Sequence, residues 1–218
     1  MHLRTTDSTS DRARALAIGG APHGTLVTAG EQRAGRGRQG RSWSAPPGRA
    51  LLASLVLREW PALVSLASAV AVADVVGLHA AIKWPNDVLI GGRKVAGILA
   101  EGRPQEGWAV LGIGINVAVR EHDLPEDVGA RAAGLNLEPA DVEPMLAALL
   151  AALELRLGQD PAMILEAYRE RDALLGREVR WQHGAGVAAG VDKDGRLLVD
   201  LPGSVREVLD AGEVHLVA

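Results

Sequence analysis

The chain has 218 residues, of which 48% are hydrophobic and 23% are charged, and it contains no cysteine. This composition allows a sizeable core, in one domain or in a larger and a smaller one. It excludes a disulfide scaffold, a thiolate metal site and a cysteine nucleophile. No apolar run approaches the roughly 18 residues of a transmembrane helix, and the start of the chain lacks a signal-peptide pattern, so we expect a cytoplasmic protein without membrane contacts.

The net charge of −4 is unevenly distributed along the chain. Residues 31–49 contain five arginines and one glutamate, a local charge of +4, so the remaining residues together carry −8. A protein that binds nucleic acid usually presents a broad basic face. Positive charge confined to one segment favours a small polyanion as the ligand, and we expect no nucleic-acid partner.

The first half of the chain is predicted to contain strands and two helices. Ser and Thr near residues 8–10 can cap a short helix that ends at Gly19-Gly20. A second helix, apolar on nearly all sides and therefore buried, is predicted to begin at Pro61. Strands are predicted over residues 24–32, 50–60, 80–84, 87–102 and 108–119. The last of these is apolar for much of its length, which is typical of a central strand covered on both faces.

The second half changes its periodicity twice. From Asp141, apolar residues recur at three- and four-residue steps, which predicts an amphipathic helix. Asp160-Pro161 has the capping and first-turn signals of another helix, predicted to end near Asp172. After Gly176, short strands and glycine turns, with a hairpin turn at residues 192–195, predict a small β-barrel. Strands and helices do not alternate strictly, so the predicted fold class is α+β with a mixed sheet, not a doubly wound α/β sheet.

Residues 35–40 read Gly-Arg-Gly-Arg-Gln-Gly, which matches the G-x-G-x-x-G pattern of dinucleotide-binding folds. That pattern requires a helix directly after the glycines, and the two prolines within residues 42–48 prevent one. We therefore interpret the segment as a mobile loop whose glycines bend and whose arginines bind phosphate or carboxylate. Trp43 offers a flat face to a purine. A disordered basic loop is the alternative that this segment alone leaves open.

Three motifs in this order and spacing resemble the biotin–protein ligases: GRGRQGRSW at 35–43, KWPNDVLIGGRKVAGIL at 83–99 and GIGINV at 112–117. The resemblance implies a class II synthetase-like catalytic domain over residues 1–174 and an SH3-like β-barrel over 175–218. It also implies the activity: biotin and ATP, with Mg²⁺, form biotinyl-5′-AMP, and the biotinyl group passes to one lysine of a biotin carboxyl carrier protein. The carrier would be of the acetyl-CoA carboxylase or pyruvate carboxylase type.

The resemblance also assigns residues to biotin. Ser8 and Thr9 would hydrogen-bond the ureido ring, with helix capping as the alternative role for Ser8. Gln32 has an amide that can donate and accept, as a urea requires. Glycines in the later motifs would let the ring approach the sheet closely. The residues implied to bind biotin are Ser8, Thr9, Ser10, Gln32, Gly35, Arg36, Gly37, Arg38, Lys94, Gly97 and Gly114, with Gly112 beside them.

A second set is implied to bind ATP and to catalyse the reaction. Lys94 and Arg38 are the implied catalytic residues: a cation at Lys94 would lower the repulsion between the biotin carboxylate and the α-phosphate, and Arg38 would retain the reactive adenylate. Asp87 is the candidate Mg²⁺ ligand, with a turn-capping role as the alternative. The residues implied to bind the nucleotide are Arg36, Arg38, Arg41, Trp43, Lys83, Asn86 and Asn116.

Two rival functions remain at this stage, a lipoate–protein ligase and a nucleic-acid-binding module. Some members of the family carry an N-terminal helix-turn-helix domain that binds an operator. Because Ser8-Thr9 lies at the very start of this sequence, we expect no such domain and no repressor function. Family members include dimers, so a homodimer is one option, and no sequence feature selects it.

Overall fold

The computed structural model describes residues 1–61, 63–124, 126–210 and 212–217. Ala62, in the predicted second helix, and Ala211 and Ala218, in the predicted barrel, lie outside the described residues. The N-terminal part of the chain is built around a seven-stranded sheet in the order β1-β2-β5-β9-β8-β7-β6. These strands are β1 His2–Leu3, β2 Leu26–Ala29, β5 Leu51–Leu57, β6 Ala81–Lys83, β7 Asp87–Ile90, β8 Arg93–Arg103 and β9 Trp108–Ile115.

The sheet is mixed, as the sequence predicts: β1 and β2 are parallel, and the remaining neighbours are antiparallel. The strand β9 lies at its centre and is buried at all eight residues, which confirms the prediction of a covered central strand. The helix α1, Thr9–Ile18, packs against β5 and β9 and ends at Gly19, as predicted.

The longer helices pack together, with α2, Val64–Val76, contacting both α4, Val142–Leu157, and α5, Pro161–Arg169. A short helix, α3, spans Glu126–Gly129. Two predicted boundaries are wrong. The helix α2 begins at Val64 and not at Pro61, because Leu63 has a left-handed backbone (φ 59°) that interrupts the helix. The helix α5 ends before Asp172, because residues 171–173 turn to hydrogen-bond the backbone of Ile82 in β6.

The C-terminal strands form a second, five-stranded antiparallel sheet in the order β13-β12-β11-β10-β14. These strands are β10 Glu178–Trp181, β11 Gly184–Val191, β12 Leu197–Leu201, β13 Val205–Leu209 and β14 His215–Leu216. The predicted hairpin turn is confirmed: Gly195, with φ 77°, donates its N–H to the Asp192 carbonyl at 3.1 Å. The small all-β unit predicted after Gly176 is confirmed. Within the described residues β13 and β14 are the two edges of its sheet, and β14 pairs with β10.

The two sheets share one buried apolar cluster, which includes Tyr168 from α5 and Val179 and Leu197 from the C-terminal sheet. The indole Nε1 of Trp84, just after β6, also donates to the Gly195 carbonyl at 3.0 Å. The domain boundary between residues 174 and 175 therefore stays a prediction. None of the described helices is both long enough and apolar enough to cross a membrane.

The arginine- and glycine-rich segment, whose mobility stays a prediction, has a defined backbone conformation. It forms a small antiparallel hairpin of β3, Gly35–Arg36, and β4, Ser42–Trp43, joined by a 3-10 turn at Arg38–Gly40. In this part of the described chain no α-helix follows the glycines, which confirms the rejection of the dinucleotide-binding interpretation. In this hairpin Trp43 is the direct cross-strand partner of Gly35, and this pairing fixes the position of the indole.

Candidate functional site

An open cleft lies between the start of α1, the β3–β4 hairpin and the strands β6 to β9. The fold brings most of the predicted residues to this cleft. They are Thr9, Ser10, Gln32, Arg36, Gly37, Arg38, Arg41, Trp43, Lys83, Asn86, Asp87, Lys94, Gly97, Gly112 and Gly114.

Three predicted residues are not among the described residues that line the cleft. Ser8 is the buried N-cap of α1 and accepts a hydrogen bond from the Asp11 N–H, which is the alternative role foreseen for it. Gly35 lies under the backbone of the β4 residue Trp43, where a side chain would collide with the carbonyl oxygen. Asn116 donates its side-chain amide to the Ala133 carbonyl at 3.0 Å.

A chain of hydroxyl and amide groups forms one end of the cleft. Gln32 Oε1 accepts from both the backbone N–H of Thr9, at 2.8 Å, and its hydroxyl, at 2.9 Å. Thr9 Oγ1 in turn accepts from Ser54 at 2.9 Å, and Ser54 Oγ lies 3.1 Å from Ser10 Oγ. Sequence reasoning missed Ser54. Its signal was a single hydroxyl within the apolar strand LLASLVL.

A cluster of cations forms another part of the cleft. Lys94 Nζ lies 2.6 Å from Asp87 Oδ1, and Arg38 donates to Asn86 Oδ1 at 3.2 Å. Burial lowers the pKa of Lys83, with further lowering from the neighbouring positive charges, while Asp87 opposes the shift. Burial is also the largest cause of the lowered pKa of Arg38, and the Asp87 carboxylate again opposes the shift. Crowded, partly desolvated cations of this kind favour the binding of an anion.

Arg36 lines the cleft, but its guanidinium is paired with two carboxylates. It donates to Asp11 on α1 at 2.8 Å and to Glu101 on β8 at 2.7 Å. Arg14 binds the second oxygen of Glu101 at 3.1 Å. Sequence reasoning missed both carboxylates, because nothing in a local pattern links them to the arginine motif. These ion pairs attach the hairpin to α1 and to the central sheet.

Trp43 lies on the glycines of the sheet. A Cβ added at Gly114 would lie 2.5 Å from the indole, and one added at Gly97 would lie 3.0 Å from it. Lys94 Nζ is 5.6 Å from the centre of the ring, within range of a cation–π interaction. The indole of Trp43 therefore lies against Gly97 and Gly114, while the approach of the biotin ring to these glycines stays a prediction.

The connection just before β14 also reaches the cleft, which sequence reasoning did not foresee. Gly212, Glu213 and Val214 line it, and Glu213 forms an ion pair with Arg41 of the hairpin turn. His215 Nε2 lies 3.3 Å from the other Glu213 oxygen, and burial is the main cause of its lowered pKa, with the nearby cations adding to the shift. The ion pair with Arg41 thus joins the C-terminal sheet directly to the arginine-rich segment.

The described residues contain no group of three His, Cys, Asp or Glu side chains that could hold a metal ion. Asp87, the predicted Mg²⁺ ligand, is already neutralised by Lys94. One carboxylate among several cations fits a metal that arrives on a polyphosphate better than a metal held by the protein alone.

Two family patterns match the sequence. The biotin/lipoate A/B protein ligase family matches residues 3–117, and the biotin protein ligase C-terminal domain matches residues 174–217. The biotin–[acetyl-CoA-carboxylase] ligase of Mycobacterium tuberculosis is 35% identical, over 97% of this chain and 86% of the relative. The bifunctional ligase/repressor BirA of Bacillus subtilis is 33% identical, over 94% of this chain and 70% of the relative.

The fold is also that of a solved structure from the same group. The biotin protein ligase from Aquifex aeolicus, in complex with biotin and ATP, matches with a TM-score of 0.84 at 26% sequence identity. The match covers 99% of this chain and 97% of the Aquifex chain. It therefore includes the central sheet and the C-terminal sheet together.

Proposed function

The chain belongs to the biotin/lipoate A/B protein ligase family, and we propose that it is a biotin–protein ligase. In this proposal it converts biotin and ATP to biotinyl-5′-AMP and transfers the biotinyl group to a lysine of a carrier protein. One observation carries the proposal: a hydroxyl–amide chain and a cation cluster line the same cleft. The two features suit the two ends of biotin, a urea and a carboxylate.

The hydroxyl–amide chain of Thr9, Ser10 and Gln32 supports recognition of a ureido ring. A urea presents two N–H donors and one carbonyl acceptor, and buried polar groups left unpaired by a ligand are costly. The dithiolane ring of lipoate has no such donors and would leave these groups unsatisfied. This difference favours biotin over lipoate, which the same family also includes.

The cation cluster supports the activation step. An oxygen of the biotin carboxylate attacks the α-phosphorus of ATP, the new O–P bond forms, and the bond to the β-phosphate breaks so that pyrophosphate leaves. Lys94, between the two anions, lowers their repulsion and stabilises the charge that develops on the phosphorus. Arg38, held by Asn86, adds a second cation, and we assign it the retention of the adenylate. Mg²⁺ enters as part of the ATP substrate, with Asp87 as its candidate contact.

In the transfer step the amine of the carrier lysine attacks the carbonyl carbon of the mixed anhydride. A C–N bond forms, the C–O bond to the phosphate breaks, AMP leaves and the amine loses its proton. No protein nucleophile is needed. We propose a biotin carboxyl carrier protein as the acceptor, a cytoplasmic site of action, and no nucleic-acid partner. The charge of −8 outside residues 31–49 supports the last point.

The test of the proposed function is biotin-dependent exchange of pyrophosphate into ATP by the purified chain. We expect exchange that requires biotin and is not supported by lipoate. Exchange that is equally fast with lipoate, or none with either acid, would contradict the proposal. Retention on DNA without any exchange would instead favour the nucleic-acid-binding alternative.

A further inference from the structure

The fully buried hydroxyl of Ser54 connects the two hydroxyl residues of α1 that line the cleft. Ser54 lies in β5 behind the lining residues, with 0% of its surface exposed. Its hydroxyl contacts Thr9 Oγ1 at 2.9 Å and Ser10 Oγ at 3.1 Å. It is the only polar residue of the strand Leu51–Leu57. A buried polar group in such a place requires hydrogen-bond partners, and these two provide them.

The direction of each hydrogen bond in this chain follows from counting protons. Gln32 Oε1 can only accept, so the single hydroxyl proton of Thr9 must be donated to it. Thr9 Oγ1 can then only accept from Ser54, which uses the single proton of Ser54. Ser10 must therefore donate to Ser54. Each hydroxyl therefore donates to the next group in one direction: Ser10 to Ser54, Ser54 to Thr9, and Thr9 to Gln32.

This direction fixes what the cleft offers to a ligand. Because the hydroxyl proton of Ser10 is donated to Ser54, Ser10 can only accept a hydrogen bond from a ligand. The oxygen of Gln32 already accepts two hydrogen bonds from Thr9, so its amide presents N–H donors. The cleft thus offers one acceptor and one donor in fixed positions. A cyclic urea, with an N–H beside a carbonyl, complements this pair.

The sheet leaves space for this arrangement. Gly112 on β9 is the direct cross-strand partner of Ser54. A Cβ added at Gly112 would lie 2.7 Å from Ser10 Oγ, and 3.6 Å from Ser54 Oγ. Any larger residue at this position would therefore push the Ser10 hydroxyl away from Ser54. The glycine and the serine form a matched pair across two central strands.

We infer that Ser54 is a positioning residue that sets the hydrogen-bond polarity of the cleft and thereby its preference for a urea-bearing acid. The inference rests on the proposed function and deepens it. Without Ser54, Thr9 loses a donor and the Ser10 proton is free to turn towards the ligand. The cleft would then present an undirected hydroxyl where it now presents an acceptor.

The test compares Ser54→Ala with Ser68→Ala, a matched control whose equally buried hydroxyl donates to the Val64 carbonyl of its own helix. For Ser54→Ala we expect the KM for biotin in pyrophosphate exchange to rise about tenfold or more, the loss typical of unsatisfied buried groups. The KM for ATP should change less than twofold. Ser68→Ala should leave both KM values unchanged.

A second pair of variants addresses the same chain without touching Ser54. Gly112→Ala should raise the KM for biotin in the same direction, whereas Gly129→Ala, where an added Cβ meets no described atom within 4 Å, should not. A biotin KM within twofold of wild type in both Ser54→Ala and Gly112→Ala would overturn the inference. So would an equal rise in both substrates' KM values. Absence of exchange in the wild-type chain would instead defeat the proposed function itself.

Discussion

At the scale of single residues, Lys94 is the group on which the proposed chemistry depends most. We expect Lys94→Ala to slow adenylate formation about a hundredfold, or roughly 3 kcal/mol, because it removes the cation between two anions. Biotin binding should weaken much less, because the urea of biotin is expected to hydrogen-bond at another part of the cleft. Single-turnover adenylation and equilibrium biotin binding measure the two effects. Lys193→Ala, which removes an exposed lysine, is the control; equal losses in rate and binding would contradict the role.

The partly buried carboxyl of Asp172 is expected to make the stability of the fold depend on pH. Burial raises the pKa of its carboxyl, although the backbone N–H of Leu174 donates to Oδ1 at 2.8 Å and opposes the shift. A raised folded-state pKa means that the folded protein holds this proton more tightly than the unfolded chain. Its contribution to stability is therefore greatest below the unfolded-state pKa and is lost as the pH rises through the folded-state pKa.

Asp172→Asn removes this ionisation and keeps an oxygen for the Leu174 N–H. We expect the variant to have a higher free energy of unfolding than wild type at neutral pH, and the difference to shrink towards acidic pH. Urea unfolding at several pH values measures it. A variant that is less stable than wild type at neutral pH would show that the carboxylate is needed as a charge.

At the scale of elements, Asp74 holds three helical segments together. Its two oxygens bind Arg156 on α4 at 2.8 Å and Arg171, after α5, at 3.0 Å, while Asp74 itself lies on α2. All three side chains are less than a quarter exposed, so these pairs are poorly screened by solvent. The packing of α2 on α4 and α5 thus depends on charge as well as on apolar contact.

We expect Asp74→Ala to lower the free energy of unfolding by about 2 to 3 kcal/mol, because it leaves two largely buried guanidinium groups without a carboxylate. Asp194→Ala, which removes exposed ion pairs in the β11–β12 turn, should cost less than about 1 kcal/mol. Urea denaturation of both variants makes the comparison. Similar losses in the two would mean that the Asp74 pairs add little beyond a surface ion pair.

At the scale of the whole molecule, Trp84 connects the catalytic sheet to the C-terminal sheet. Its Nε1 donates to Gly195, and the ring itself is only 2% exposed. Trp84→Phe keeps most of the apolar contact and removes the donor, so we expect a loss of about 1 to 2 kcal/mol in unfolding free energy. Because Lys83 and Asn86 flank this tryptophan, the KM for ATP should also rise. Thermal unfolding and steady-state kinetics test both; an unchanged stability would show that the link is not needed.

The amino-acid sequence by itself determined the α+β class, most elements and the small C-terminal sheet, and the resemblance carried by its three motifs identified most of the predicted residues that meet in the cleft. It could do so because helix caps, apolar periodicity and the three motifs act within short windows. The predicted start of α2 is wrong because Leu63 has a left-handed backbone that interrupts the helix.

Only the tertiary structure decided the partners of those residues. Thr9 meets Ser54 across 45 residues of chain, and Arg36 meets Glu101 across 65, so neither contact leaves a local pattern. Such contacts depend on strand register and on how α1 and the hairpin pack on the sheet. The structure therefore paired Arg36 with Asp11 and Glu101, placed the indole of Trp43 on the glycines, and showed the hydrogen-bond partners of Ser54.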